Sequence, residues 1–158
     1  VLTNAYPIGV PEGLSKSFLE LVEQGEVTQD WVELYRQAFA SFVTPDYGTE
    51  VDYATLPAQP TPALPATAYV GTYHNEFFGD IQIDEQAEGL VLRQGPQQIE
   101  FPLQHYGRDV FSYQPVGESA WGLSGVTFTI GPDQKATSVV VENLNVDGEG
   151  TFTRVPDE

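Results

Sequence analysis

From residue 69 to about residue 155, apolar and polar residues alternate in short runs separated by turn residues, and few folds accommodate that pattern. Ile81 and Ile83, Leu90 and Leu92, then Ile99, Phe101 and Leu103 each place apolar side chains on one face of an extended segment. Val126, Phe128 and Ile130 repeat the pattern, as do Val139 and Val141. The breaks carry turn chemistry: Glu88-Gly89, Gly95-Pro96, Gly107-Arg108-Asp109, Gly131-Pro132-Asp133 and Asp147-Gly148. No helical period interrupts the stretch. About eight short strands so closely spaced predict an antiparallel meander, closed or nearly closed into a barrel.

Upstream the pattern changes twice. Residues 1–43 read as a short strand, Val1-Leu2-Thr3, followed by two helices. Pro11 suits a helix entry, and Leu14, Phe18, Leu21 and Val22 fall on one helical face before Gly25 ends it. Thr28 is the expected N-cap of the second helix, whose stripe runs through Trp31, Leu34, Tyr35, Ala38, Phe39 and Phe42 until Pro45. Residues 44–68 hold Pro45, Pro57, Pro60, Pro62 and Pro65 and read as a stiff connector. Its Tyr47, Val51, Tyr53 and Leu56 place the first half against a surface. The fold class expected is mainly β: about eight antiparallel strands over 69–158, preceded by a strand and two α-helices. The helices offer more apolar face than a polar tail exposes, so either the barrel covers it or a missing partner does. In the second case the chain self-associates through these helices.

Charge and composition narrow the function classes. With 23 acidic against 6 basic residues the net charge is −17, a surface that repels phosphate backbones and anionic lipid. Nucleic acid is therefore not an expected partner. No apolar run reaches the roughly 18 residues of a membrane span. Zero cysteines remove a disulfide framework and a thiol nucleophile. The chain opens on Val1 and contains no Met, as expected of a fragment or processed product.

Two groups of residues carry a family resemblance. The first is Val1-Leu2-Thr3-Asn4-Ala5 with Pro7-Ile8-Gly9-Val10-Pro11-Glu12 and the helix to Val22. It resembles the last strand and C-terminal helix of the class C β-lactamase-like serine hydrolases, relatives of penicillin-binding proteins. The second comprises Tyr69-Val70-Gly71-Thr72-Tyr73-His74-Asn75 with Phe78-Gly79, Phe101-Pro102-Leu103 with His105, and Gly148 to Arg154. It resembles a C-terminal accessory domain of unknown function carried by some of those hydrolases. The resemblance implies a lipocalin-like barrel, a hydrolase domain of the same parent protein as partner, and a bacterial periplasmic or exported setting.

That hydrolase chemistry needs a Ser with Lys one helical turn on, so that the amine lies beside the hydroxyl. Neither Lys16 nor Lys135 follows a Ser by three residues, and the nucleophile is expected upstream. Tyr73-His74-Asn75 and His105-Tyr106-Gly107 match the companion Tyr-x-Asn and His-x-Gly patterns, but without a Ser-Lys pair they do no catalysis. His74 and His105 read as surface histidines, and no Gly-x-Ser-x-Gly elbow occurs. Asn143, Asn145, Asp147, Gly148 and Glu149 mimic half an EF-hand loop, but Arg154 stands where the bidentate Glu belongs. No metal or cofactor is expected, and no catalytic residue in this chain. Paired carboxylates for glycoside chemistry cannot be picked out among 23 acids.

Aromatics at Phe77, Phe78, Tyr106, Phe111, Tyr113 and Trp121 suit a barrel mouth or, more simply, barrel packing. The loops Asn75 to Gly79, Tyr106 to Asp109 and Gly117 to Gly125 are the expected contact surface. Within and beside them Tyr73, Asn75, Phe78, Tyr106, Arg108 and Trp121 are the candidate residues. The function expected is a non-catalytic accessory domain that shapes substrate access or mediates assembly. A freestanding barrel binding a small or cell-envelope ligand in an aromatic-lined interior is the alternative.

Overall fold

Alternation at period two builds nine strands in the computed structural model, which describes residues 1–2, 8–43, 45–117 and 120–156. They are β1 (Gly71–Asn75), β2 (Gly79–Gln86), β3 (Gly89–Gln94), β4 (Ile99–Pro102), β5 (Gln104–Gly107), β6 (Val110–Tyr113), β7 (Ser124–Ile130), β8 (Ala136–Val141) and β9 (Thr151–Arg154). The sheet runs β4-β3-β2-β1-β9-β8-β7-β6-β5, antiparallel at every step. The result is a nearly closed barrel.

The count exceeds eight because the run from Ile99 to Gly107 serves as two strands. Pro102 has no N–H to give to a ladder, and the chain turns there from β3 toward β6. Leu103 is the only residue between β4 and β5, and its N–H donates to Leu90 O at 2.9 Å. The two strands that flank the seam are therefore neighbours in sequence and opposite ends of the sheet order.

The alternating positions point inward as expected. Ile81, Ile83, Leu90, Leu92, Val126, Phe128, Val139 and Val141 are at most 7% exposed. Ile99, at the start of β4, stays on the surface, and Ile130 lies beyond a register shift in β7 and is only partly covered. Aromatic rings occupy the centre: Tyr69 lies 5.2 Å from Phe111 and 4.9 Å from Phe128, and those two are 5.8 Å apart. The interior is packed with side chains rather than hollow.

Residues 46–68 do not stand free as a connector. The described chain divides into 1–45 and 46–158, and Tyr47 and Tyr53 are both buried. Gly125 faces away from the core, its neighbours Ser124 and Val126 being buried in the alternation of β7. A Cβ there would collide with Tyr53 Oη, so glycine is what lets the tyrosine lie on the strand. The Glu142 carboxylate fixes this strap, accepting N–H bonds from Gly48 and Gly125, each at 2.9 Å. A short 3₁₀ turn, Glu142–Leu144, carries that carboxylate and breaks the otherwise helix-free barrel sequence.

In the first unit, α1 (Val10–Gln24) and α2 (Trp31–Ala38) cross where Gly13 allows it; a Cβ on Gly13 would lie 2.6 Å from Val32 Cα. Gly25 caps α1 as expected, its N–H returning to Leu21 O. Asp30, not Thr28, caps α2, accepting from the Glu33 N–H at 2.9 Å. Thr28 is committed elsewhere: its N–H and hydroxyl both donate to the Glu20 carboxylate, which also accepts from Trp31 Nε1 at 2.6 Å. Those donors, Trp31 first, lower the Glu20 pKa. The helix turns Gly13 and Glu20 toward its partner, and the expected apolar face stays outside, with Leu14, Phe18, Leu21 and Val22 47–65% exposed. Helix α2 stops at Ala38, and a 3₁₀ turn over Ala40–Val43 follows before Pro45. Val1 and Leu2 form no strand; the rest of that expected strand, with Asn4, Ala5 and Pro7, lies outside the described residues.

Two outcomes follow from this packing. Phe152→Ala, at a ring with no exposed area, should cost about 3–5 kcal/mol in denaturant unfolding. Phe77→Ala, at a ring 75% exposed, should stay within about 0.5 kcal/mol. Burial also pushes the hydroxyls of Tyr53, Tyr69, Tyr73 and Tyr113 up to about 12. The folded chain thus keeps four protons that the unfolded chain loses near pH 10. Stability should be full below about pH 10 and fall as pH rises toward about 12. A near-ultraviolet absorbance titration should find these four of the eight tyrosines still un-ionised at about pH 11 in folded protein.

Candidate functional site

Three loops meet at one end of the barrel because of strand direction. Strand β1 ends where β9 begins, β8 runs back to that end, and β7 begins there after β6. The turns 76–78 and 142–150, with residues 114–117 and 120–123, consequently share a rim. Between them lies a cavity of about 350 Å³ lined by Phe77, Phe78, Pro115, Val116, Ala120, Leu144 and Val146, with Asn143, Asp147 and Glu149 as its polar members.

Asn75 sets the geometry of one wall. Its Oδ1 accepts the N–H groups of Phe77 and Phe78, each at 2.8 Å. Its Nδ2 donates to Glu149 O at 2.6 Å and Thr151 O at 2.8 Å. One carboxamide thereby closes the β1–β2 turn and ties it to the loop before β9. The turn holds Phe77 and Phe78 edge to face, 4.9 Å apart, with Phe78 stacked on buried Phe152. The floor is set by Asn143, whose Oδ1 accepts from Tyr113 Oη at 2.8 Å and Ser124 Oγ at 3.0 Å.

The six residues singled out from the sequence do not form one surface. Phe78 lines the cavity and Asn75 supports it from beneath. Tyr73 is a correction: it has no exposed area, because strand alternation points it into the core, where its hydroxyl donates to Tyr69 O. Tyr106 sits under the strap, its ring 5.2 Å from Tyr53. Trp121 is also tied there, its N–H donating to Tyr47 Oη at 2.5 Å. Arg108 lies on the β5–β6 turn, with φ of 52°, its N–H bonded to Thr61 O and its guanidinium 3.2 Å from Asp109. Of the three expected contact loops, 75–79 and the segment around Ala120 converge, and 106–109 does not. Phe111 and Tyr113 belong to the core.

The residues missed from the sequence are Val116, Leu144 and Val146. None belongs to a periodic run, and only the meeting of three loops gives them a common purpose.

The chemistry-bearing side chains have structural partners. His74 Nδ1 is 2.6 Å from Asp80 Oδ1, and His105 Nε2 is 3.1 Å from Arg108 O with its ring against Phe111. The stretch that mimics an EF-hand is knitted to the protein: Asn145 Oδ1 accepts the Gly150 N–H at 2.9 Å, and Asn143 is engaged as described. Among the described residues no three His, Cys, Asp or Glu side chains converge as a metal site. No helix among them is long and apolar enough to cross a membrane.

Comparison with known proteins adds two findings. A family model described as a domain of unknown function, DUF3471, matches residues 55–154, well over half of the chain. Among solved structures, the C-terminal domain of penicillin binding protein Rv0907 matches with 29% identity and a TM-score of 0.56. That match covers 63% of this chain and 94% of the other. No curated protein shows significant similarity to the chain. The matched region is the barrel with the last part of its strap, and the chain belongs to the DUF3471 family, a domain from the C-terminal end of penicillin-binding and β-lactamase-like proteins.

Proposed function

We propose that the barrel is a non-catalytic accessory domain of a β-lactamase-like serine hydrolase, and that it shapes substrate access to the hydrolase domain or holds the assembly together. The observation that carries this reading is the 29% identity to the C-terminal domain of a penicillin binding protein over 94% of that domain. The local chemistry agrees with it. The two short patterns that resemble hydrolase motifs are occupied by folding tasks: in the first Tyr73 packs the core, Asn75 closes a turn and His74 pairs with Asp80, and in the second His105 lies against Arg108 O and Tyr106 packs on Tyr53. The filled interior leaves the rim, rather than a lipocalin-type central cavity, as the surface for contacts.

The exposed apolar stripe of α1, from Leu14 to Val22, is the part of the first unit that best suits a hydrolase domain. Without that domain, self-association through the stripe is the expected behaviour, and sedimentation of this chain reads it directly.

The deciding measurement is steady-state hydrolysis of a small ester and a peptide-like substrate by the parent hydrolase, with and without residues 46–158. An accessory role in access predicts a change in kcat/KM of about an order of magnitude, roughly 1.4 kcal/mol in the transition state. A role in assembly predicts unchanged kinetics with an altered oligomeric state. Unchanged kinetics together with an unchanged oligomeric state overturn the proposal. So does covalent labelling of a serine in this chain by a fluorophosphonate or penicillin probe.

A further inference from the structure

The rim cavity has features that folding alone does not require. Phe77, Val116 and Val146 are 75%, 65% and 48% exposed, so the core gains little from them. They come from three separate loops and still face one space of about 350 Å³, the size of a small-ligand pocket. The wall bearing Phe77 is preorganised, since the Asn75 carboxamide is saturated by two donors and two acceptors. Binding there would cost little ordering of the protein.

The polar complement of the cavity selects by charge. Its ionisable lining residues are Asp147 and Glu149, both exposed, and no Lys, Arg or His lines it among the described residues. The chain as a whole carries −17. A carboxylate or phosphate ligand would meet two like charges and no counter-ion. An ammonium would meet two carboxylates beside an apolar lining, surroundings that favour a cation over an anion. Asn143 adds a directional group: with its Oδ1 occupied by Tyr113 and Ser124, its Nδ2 has no acceptor among the described residues.

We infer that this rim cavity is a binding site for a small amphiphilic cation: an apolar body about the size of a phenyl or branched alkyl group, carrying an ammonium head. The body lies against Phe77, Phe78, Val116 and Val146, and the head is held at the Asp147–Glu149 side. The inference uses only the cavity and its charges and is independent of the accessory-domain reading.

Three probes of one size test it on the whole chain: phenethylammonium, the neutral 2-phenylethanol and the anionic 3-phenylpropionate, each titrated while backbone amide NMR signals are followed. The cation should shift signals of residues 76–78, 115–116 and 143–149 in a saturable way, and the anion should not. Its affinity should exceed that of the neutral probe by about three-fold, the scale of an exposed ammonium–carboxylate pair, and the gap should shrink with added salt. Phe77→Ala should weaken the cation and the neutral probe alike, by about five-fold. The Asp147→Asn, Glu149→Gln double variant should bring the cation down to the level of the neutral probe and leave the latter unchanged. Equal affinity for all three probes, shifts centred away from these loops, or no saturable binding in folded protein overturns the inference.

Discussion

The fold depends on one pairing that sequence neighbours cannot supply, the closure of β1 on β9. Every other ladder joins successive strands through a connection of modest length, whereas this one brings Tyr73 beside Arg154 and His74 beside Thr153. The register is short, and side chains reinforce it. The Arg154 guanidinium donates twice to Val70 O, at 2.5 and 2.9 Å, and to Tyr73 Oη at 3.1 Å, and it lies over the Tyr73 ring. The Val155 N–H continues the ladder to Thr72 O. A cation with this many partners close to a buried ring is a directional clasp, and directional bonds fix register where apolar packing alone would tolerate slippage.

Closure also makes the rim. With β1 beside β9, the turn after β1 and the loop before β9 become neighbours, and the Asn75 carboxamide bridges them. The opposite consequence falls on the seam between β4 and β5. There the sheet stays open, and Glu100 and Pro102 on β4 make it a poor template for another strand. The strap from residue 46 covers outer surface on the β7 side, anchored by the Glu142 carboxylate and two buried tyrosines. Buried ties of this kind explain why a proline-rich stretch counts with the barrel.

Apolar residues in this chain therefore fall into two populations. One fills the barrel and is satisfied within the chain. The other, on α1 and around the rim, is exposed in quantity, and surface of that kind is commonly retained for contact. The rim lies within the region matched by a family found at the C-terminal end of penicillin-binding and β-lactamase-like proteins, and α1 lies ahead of it. The net charge of −17 adds selectivity to whatever approaches the rim.

The barrel was legible in the sequence because its physics is local. Alternation at Ile81–Ile83 or Val139–Val141 reports which face is buried, and Gly or Asp-Gly pairs report where the chain turns. Gly25 was readable as a helix stop for the same reason. Tertiary structure decided the rest. Tyr73 and Asn75 looked like surface candidates and became a core ring and a turn bridge, since alternation and long-range hydrogen bonds claimed them first. Thr28 lost its capping role to Asp30 because Glu20, eight residues earlier, took both its donors. The rim cavity was invisible in the sequence because Phe77, Val116 and Val146 share no period and lie far apart along the chain. Only barrel closure, a pairing across some eighty residues, brings their loops to one end.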